Sequence, residues 1–325
     1  MNTYFFKLTF LILSLVSITT ACTEENLDKC IPGVTVNYYY TYNKQNKNLF
    51  GKEVHELSIL VFDENEKFSR IFHITDSAAL HNNNSIYLPL PAGNWTILTW
   101  GGYIDNYHLG ESNSKNKDEL SDLIAGVSNL SDFRLTLDTK PSDNGADIET
   151  QNFISNLYYG TITPVTTCNN RIVSKSVPMM KNTNDITIRI KGIHGIETLR
   201  ADEFKSYIQM SNHRYDSENR NQSGDKKLIY LRDCLIENGI AKSNLRVLKL
   251  EADDTSSYLC VESKHLPNGG IKVPLIKTIL ESPQYNDQSD LDKEDDYVFE
   301  FVVNYDLSVD ITINDWVIKD VIPEM

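Results

Sequence analysis

The strongest constraint on the fold is a recurrence of short runs in which β-branched and aromatic residues alternate with polar ones, each ended by a turn signal. VTVNYYYTY (34–42), VHELSILVFD (54–63) and FSRIFHI (68–74) read as the first three strands, with Asp63-Glu64-Asn65-Glu66 as a turn. SIYLPL (85–90), the turn Pro91-Ala92-Gly93-Asn94 and WTILTWGG (95–102) read as a hairpin. FRLTLDT (133–139) and LYYGTITPV (157–165) close the first half. RIVSKSVPM (171–179), DITIRIKGI (185–193), FKSYIQM (204–210), LIYL, LRVLKLEA, SYLCVES, YVFEFVVNYD (297–306), SVDITINDW (308–316) and VIKDVI (317–322) continue the pattern. Many short strands and few helices predict an all-β chain built of β-sandwiches. Two segments depart from this. DELSDLIAGV (118–127) places Leu120, Leu123 and Ile124 at helical spacing, and PLIKTILES (274–282) reads as one helix. Residues 211–227 read as a polar loop and 283–296 as an acidic stretch without periodicity. Length favours two domains, 33–165 and 166–325, over the competing single large all-β domain.

The amino terminus is of a different kind. One charge, Lys7, precedes an apolar run from Leu8 to Val16, then small and polar residues lead to Ala21 and Cys22. This is the order of a secretory signal over residues 1–21. The run is too short to cross ~30 Å of hydrocarbon, which takes about 20 apolar residues. Thr20-Ala21-Cys22 resembles a bacterial lipobox, departing at Thr19, where Leu is usual; the alternative is a signal cleaved after Ala21 without lipid. Under the lipobox reading Cys22 becomes an N-palmitoyl, S-diacylglycerol cysteine, and residues 22–32 form a tether. Each buried methylene contributes about 0.8 kcal/mol, so several chains make the attachment stable. Thr23-Glu24-Glu25-Asn26 resembles the acidic surface-export signal of Bacteroidetes lipoproteins.

Charge and chemistry narrow the function. Removal of residues 1–21 moves the net charge from -14 to -15, so the mature chain repels phosphate backbones and offers nothing to nucleic acid. No later run is long enough to span a membrane. The seven His residues (His55, His73, His81, His108, His194, His213 and His265) show no HExxH or i,i+4 spacing. No GxSxG elbow, Walker A or Rossmann glycine pattern occurs, so no catalytic residue, metal site or cofactor is expected. DQSDLDKEDD (287–296) offers carboxylates for calcium but lacks the glycine and spacing of an EF-hand, and reads better as a solvated loop. Cys30, Cys168, Cys234 and Cys260 remain after Cys22 in a compartment that permits disulfides. They allow three connectivities. Cys234 with Cys260 is the candidate bridge, being within one domain; the alternative is buried thiols acting as small apolar groups. Trp95 and Trp100 have opposite parity on one strand, which puts one on each face of the sheet.

Taken together, a lipobox Cys followed closely by Cys30, a Tyr-rich strand, LSILVFDENEKF, LPLPAGNWTILTWGG, DITIRIKGI and ITINDW resemble the FimB-type fimbrial anchor family of Bacteroidales. The resemblance implies two tandem transthyretin-like β-sandwich domains and no enzyme activity. It implies an outer-membrane lipoprotein at the base of a fimbrium that holds the fibre and limits its length, with fimbrillins as partners. Fibre subunits of this class are thought to lose their first strand by proteolysis and to join by strand complementation. Cleavage after the first strand here would discard the lipid with the fragment, so 34–42 is expected to stay and fill its own groove. The subunit contact then falls on another edge, for which Ile311, Ile313, Trp316, Val317, Ile318, Val321 and Ile322 are the candidates. The alternative is a surface glycan-binding lipoprotein using Trp95, Trp100 and Tyr103.

Overall fold

The computed structural model describes residues 32–111, 121–143, 147–150, 153–222 and 226–318. The signal sequence, Cys22, Cys30, Val321 and Ile322 lie outside the described residues, as does part of the helix expected at 118–127. The fold is all-β. The first half holds β1 (Gly33–Tyr39), β2 (Leu57–Phe62), β3 (Phe68–Ile74), β4 (Ser85–Leu88), β5 (Gly93–Gly101), β6 (Tyr107–Glu111), β7 (Phe133–Leu137), β8 (Thr139–Pro141), β9 (Ile148–Thr150) and β10 (Tyr158–Thr167). There follow β11 (Ile172–Pro178), β12 (Met180–Lys181), β13 (Thr183–Lys191), β14 (Lys205–Met210), β15 (Arg214–Asp216), β16 (Leu228–Asp233) and β17 (Leu235–Glu237). The last are β18 (Ile240–Leu248), β19 (Tyr258–Glu262), β20 (Gly270–Pro274), β21 (Asp296–Val303), β22 (Val309–Ile313) and β23 (Trp316–Ile318).

The first sandwich faces a three-stranded sheet, β11-β1-β4, with a five-stranded one, β12-β10-β5-β2-β3. Their shared core includes Val34, Val36, Tyr38 and Leu88 from one sheet and Leu57, Ile59, Val61 and Ile97 from the other. The second sandwich pairs two six-stranded sheets, β17-β18-β13-β21-β22-β23 and β20-β19-β14-β16-β9-β8. Ile186, Ile188, Phe299 and Phe301 meet Ile208, Met210, Leu228 and Leu259 in its core. Alternation along β13 from Asn184 onward and along β21 explains this: every second side chain is buried, as in a sheet with one wet face.

LSILVF behaves differently. All six residues of β2 are buried, because the five-stranded sheet is covered on both faces. Leu57, Ile59 and Val61 enter the first core, while Leu60 and Phe62 join the second cluster with Trp100, Leu135 and Tyr215. The covering layer is a three-stranded sheet, β15-β7-β6, drawn from both halves of the chain.

Strand pairing corrects the boundary expected at residue 165. β11 pairs in parallel with β1 from Gly33↔Ile172 to Tyr39↔Pro178, and β12 pairs with β10, so the first sandwich runs to Lys181. In the other direction β9 pairs in parallel with β16 and antiparallel with β8, so β8 and β9 belong with the second sandwich, while β7 pairs with β15 in the covering sheet. Each correction concerns a partner distant in sequence, which local periodicity does not encode.

The helix expected over 274–282 is present as a helix at Leu275–Leu280 (labelled α3 below, after short helices α1 at Phe50–Glu53 and α2 at Ser77–Asn82). It buries Leu275, Ile276 and Ile279. At 121–127 no helix forms: Gly126 turns the chain at φ 74 and donates its N–H to Phe68 O, leaving Ile124 and Val127 exposed. The acidic stretch is not structureless either. Asp287 caps α4 (Gln288–Lys293) by accepting from the Ser289 and Asp290 amides.

Candidate functional site: the first strand and the carboxy-terminal edge

β1 is the centre of its sheet. It pairs with β11 over seven residue positions and with β4 over four, from Val34↔Leu88 to Asn37↔Ser85. Val34, Val36, Tyr38 and Tyr40 are wholly buried, and the Tyr38 hydroxyl is 3.0 Å from Thr99 Oγ1. Side chains fasten it further. Asn37 Nδ2 donates to Ser174 Oγ at 2.9 Å and Lys175 O at 3.2 Å, and Asn84 Nδ2 donates to Tyr38 O at 2.7 Å. The strand starts under a tight lid: a Cβ on Gly33 would lie 2.5 Å from Leu88 O and 2.6 Å from the Tyr87 ring. The groove of this sandwich is therefore filled by the chain's own first strand.

The other end of β1 meets the second sandwich. Tyr40 donates to Asp295 Oδ1 at 3.4 Å, Tyr42 to Ser289 Oγ at 3.1 Å, and Lys44 Nζ pairs with Glu294 Oε2 at 2.5 Å. Lys181, almost fully buried, lies 3.4 Å from Asp295. Burial pushes the Asp295 carboxyl up, against the nearby Lys181 ammonium, which lowers it. The DQSDLDKEDD segment thus serves as a junction between sandwiches rather than a solvated loop. Among the described residues no group of three or more His, Cys, Asp or Glu is placed to hold a metal ion.

At the carboxy terminus β21, β22 and β23 form one flank of a six-stranded sheet, with β23 outermost. A two-residue turn joins the last two strands: Asn314 (φ 45) and Asp315 (φ 69) are both left-handed, the type I′ geometry of tight hairpins. Asn314 also ties this hairpin inward, donating to Tyr285 Oη at 2.7 Å and accepting from the Val298 amide at 2.7 Å. The candidate contact residues separate into two groups. Ile311, Ile313 and Ile318 are 1%, 0% and 6% exposed and pack in the core, where they hold the edge in place. Trp316 and Val317 are 46% and 60% exposed and are available on it. Among the described residues β23 pairs on one side only.

The sugar platform does not assemble. Trp100 is wholly buried, 5.9 Å from the Tyr215 ring, and Trp95 is half-buried against the first core. The two indoles occupy opposite faces, as their parity predicts. Tyr103 is exposed and stacks on His55 at 5.3 Å, apart from either Trp face.

The Cys234–Cys260 bridge is also corrected. Cys234 follows β16 and sits on the inner face, its Sγ 3.2 Å from Ser206 Oγ and 2.9 Å from Ser243 Oγ. Cys260 lies on β19 opposite Tyr207, on the outer face. β14 runs between the two strands, so the thiols are separated by about two strand spacings, ~10 Å, and by the sheet itself. No bond joins them. Cys168 is an exposed thiol on the turn before β11.

Residues 27–322 match the family described as fimbrillin-A associated anchor proteins Mfa1 and Mfa2. A comparison with curated proteins finds no match. Among solved structures, a candidate polysaccharide-binding protein from Bacteroides thetaiotaomicron is similar at 21% identity and TM-score 0.72, over 88% of this chain and 96% of that one. A candidate adhesin from the same organism is similar at 23% identity and TM-score 0.70, over 90% and 99%. The fimbrial anchor protein Mfa2 from Porphyromonas gingivalis is similar at 21% identity and TM-score 0.66, over 88% and 99%. At these identities the structures speak for the fold alone, while the family match spans most of the chain. The chain belongs to the fimbrillin-A associated anchor protein family.

Proposed function

We propose that this chain is an outer-membrane lipoprotein, held by acyl chains on Cys22, that ends a fimbrium at the cell surface and limits its length. The observation behind this reading is the position of β1. The segment leading from Cys22 enters the fold directly at Gly33, and the strand it becomes is paired on both sides and buried. A sandwich whose groove is already filled cannot accept a neighbour's strand there. Fibre growth through that groove stops, and the lipid cannot be lost with a cleaved strand.

The contact with the first fimbrial subunit is then made elsewhere, by strand complementation along β23. An outermost strand offers backbone N–H and C=O groups for pairing, and Trp316 and Val317 supply apolar contacts beside them. Removal of residues 317–325 would release fimbriae, but it also takes Ile318 out of the core. Val317→Glu avoids that: the side chain is exposed, and a charge on an edge strand opposes pairing. The expected result is fimbriae shed into the medium while the variant stays in the outer membrane with unchanged stability. Cell-bound fimbriae of normal number would rule out β23 as the contact.

A further inference from the structure

We infer that β1 is a shear clamp, the element that carries tension between the membrane tether and the fibre. The inference rests on the anchoring reading for its biological setting, but the mechanical property belongs to the isolated protein. It follows from three placements. The tether enters at Gly33, one end of β1. The second sandwich meets the opposite end, through Tyr40 with Asp295, Tyr42 with Ser289 and Lys44 with Glu294. β21 then starts at Asp296 and leads away to the turn carrying Tyr305. β11 runs parallel to β1 and continues through β12 into β13 of the second sandwich, so a pull between the tether and the far sandwich loads opposite ends of a parallel strand pair, along the strands.

Direction decides how such a strand yields. A force across the strands opens the ladder from one end, loading one residue pair at a time. A force along them loads all pairs together, and nothing yields until the whole strand slides. For β1 the shared load falls on seven positions toward β11 and four toward β4. It falls also on Asn37 with Ser174 and Lys175, and on Asn84 with Tyr38. Sliding must further drag Val34, Val36 and Tyr38 through a packed core, breaking the Tyr38–Thr99 contact. The strand spans about 23 Å at ~3.3 Å per residue, so the clamp reaches across much of the sandwich. Forced rupture is governed by the rate of leaving the native state under load, so equal equilibrium stability can give unequal strength in two directions.

Single-molecule force measurement on the mature chain tests this. One handle is fixed at the amino terminus, with Cys22, Cys30 and Cys168 replaced by Ser. The second is a thiol at Tyr305→Cys, fully exposed beyond β21, or at Ala92→Cys, exposed on the turn beside the start of β1. The first pair shears β1 and the second peels it, with the same contacts broken in both. At one loading rate the first rupture is expected at a force at least twofold higher for the 305 handle. Equal forces, or a weaker first rupture with the 305 handle, would overturn the clamp. Neither result bears on whether the chain anchors fimbriae, which retention of fimbriae in Cys22 variants reports separately.

Discussion

Trp100 shows how much one residue's surroundings decide. As a Trp near Tyr103 and Trp95 it could have served as a sugar platform. Placed against Tyr159 and Tyr215 at ring distances of 5.0 Å and 5.9 Å, it instead joins the two sandwiches. Trp100→Ala should cost about 3–5 kcal/mol, the usual range for emptying a buried aromatic site. Tyr103→Ala, at an exposed position, should stay within about 0.5 kcal/mol. Denaturant titration followed by tryptophan fluorescence or circular dichroism measures both, and a small cost for Trp100→Ala would contradict the fused core. The parity of the two indoles was legible in WTILTW, because strand geometry alone sets it. The state of Cys234 and Cys260 was not legible. Their faces depend on which strand runs between them, and β14 was visible as a strand but not as their separator.

At the scale of elements, most strands announce themselves by alternation, and β21 follows its pattern residue by residue, as does β13 from Asn184. LSILVF is the informative case, since a continuous apolar run signals a strand covered on both faces. The acidic stretch at 283–296 conceals α4, although Asp287 followed by Ser289 and Asp290 is a helix-start pattern; the surrounding carboxylates masked it. At the carboxy-terminal edge, ITINDW encodes a strand and its turn together. Asn314 and Asp315 adopt left-handed geometry that glycine takes at least cost. Asp315→Gly should therefore raise stability by up to about 1 kcal/mol. Asn314→Val should lower it by about 1–3 kcal/mol, through a β-branched side chain in a left-handed position and loss of the bonds to Val298 and Tyr285. Thermal or urea unfolding reads both, and a destabilising Asp315→Gly would mean that the turn is held by the Asp side chain rather than by its backbone.

At the scale of the molecule, the two sandwiches are interleaved rather than merely consecutive. β8 and β9 complete the second, β11 and β12 complete the first, and a shared three-stranded sheet lies between. This arrangement suits a body that must not come apart along its length. It also gives the described chain two distinct ends, the start of β1 and the far sandwich with its outer strand β23. The family relationship gives the fimbrial setting; in the proposed role, the filled groove of β1 would end the fibre here.

In the proposed role, a lipid on Cys22 holds the fibre through this body. This is tested most directly by Cys22→Ala in cells, with fimbrial protein quantified in the outer-membrane fraction and in the culture medium. The variant and the fimbriae are both expected to leave the membrane and appear in the medium, still joined to each other. Fimbriae and variant retained in the outer membrane at the level of the unmodified chain would contradict it.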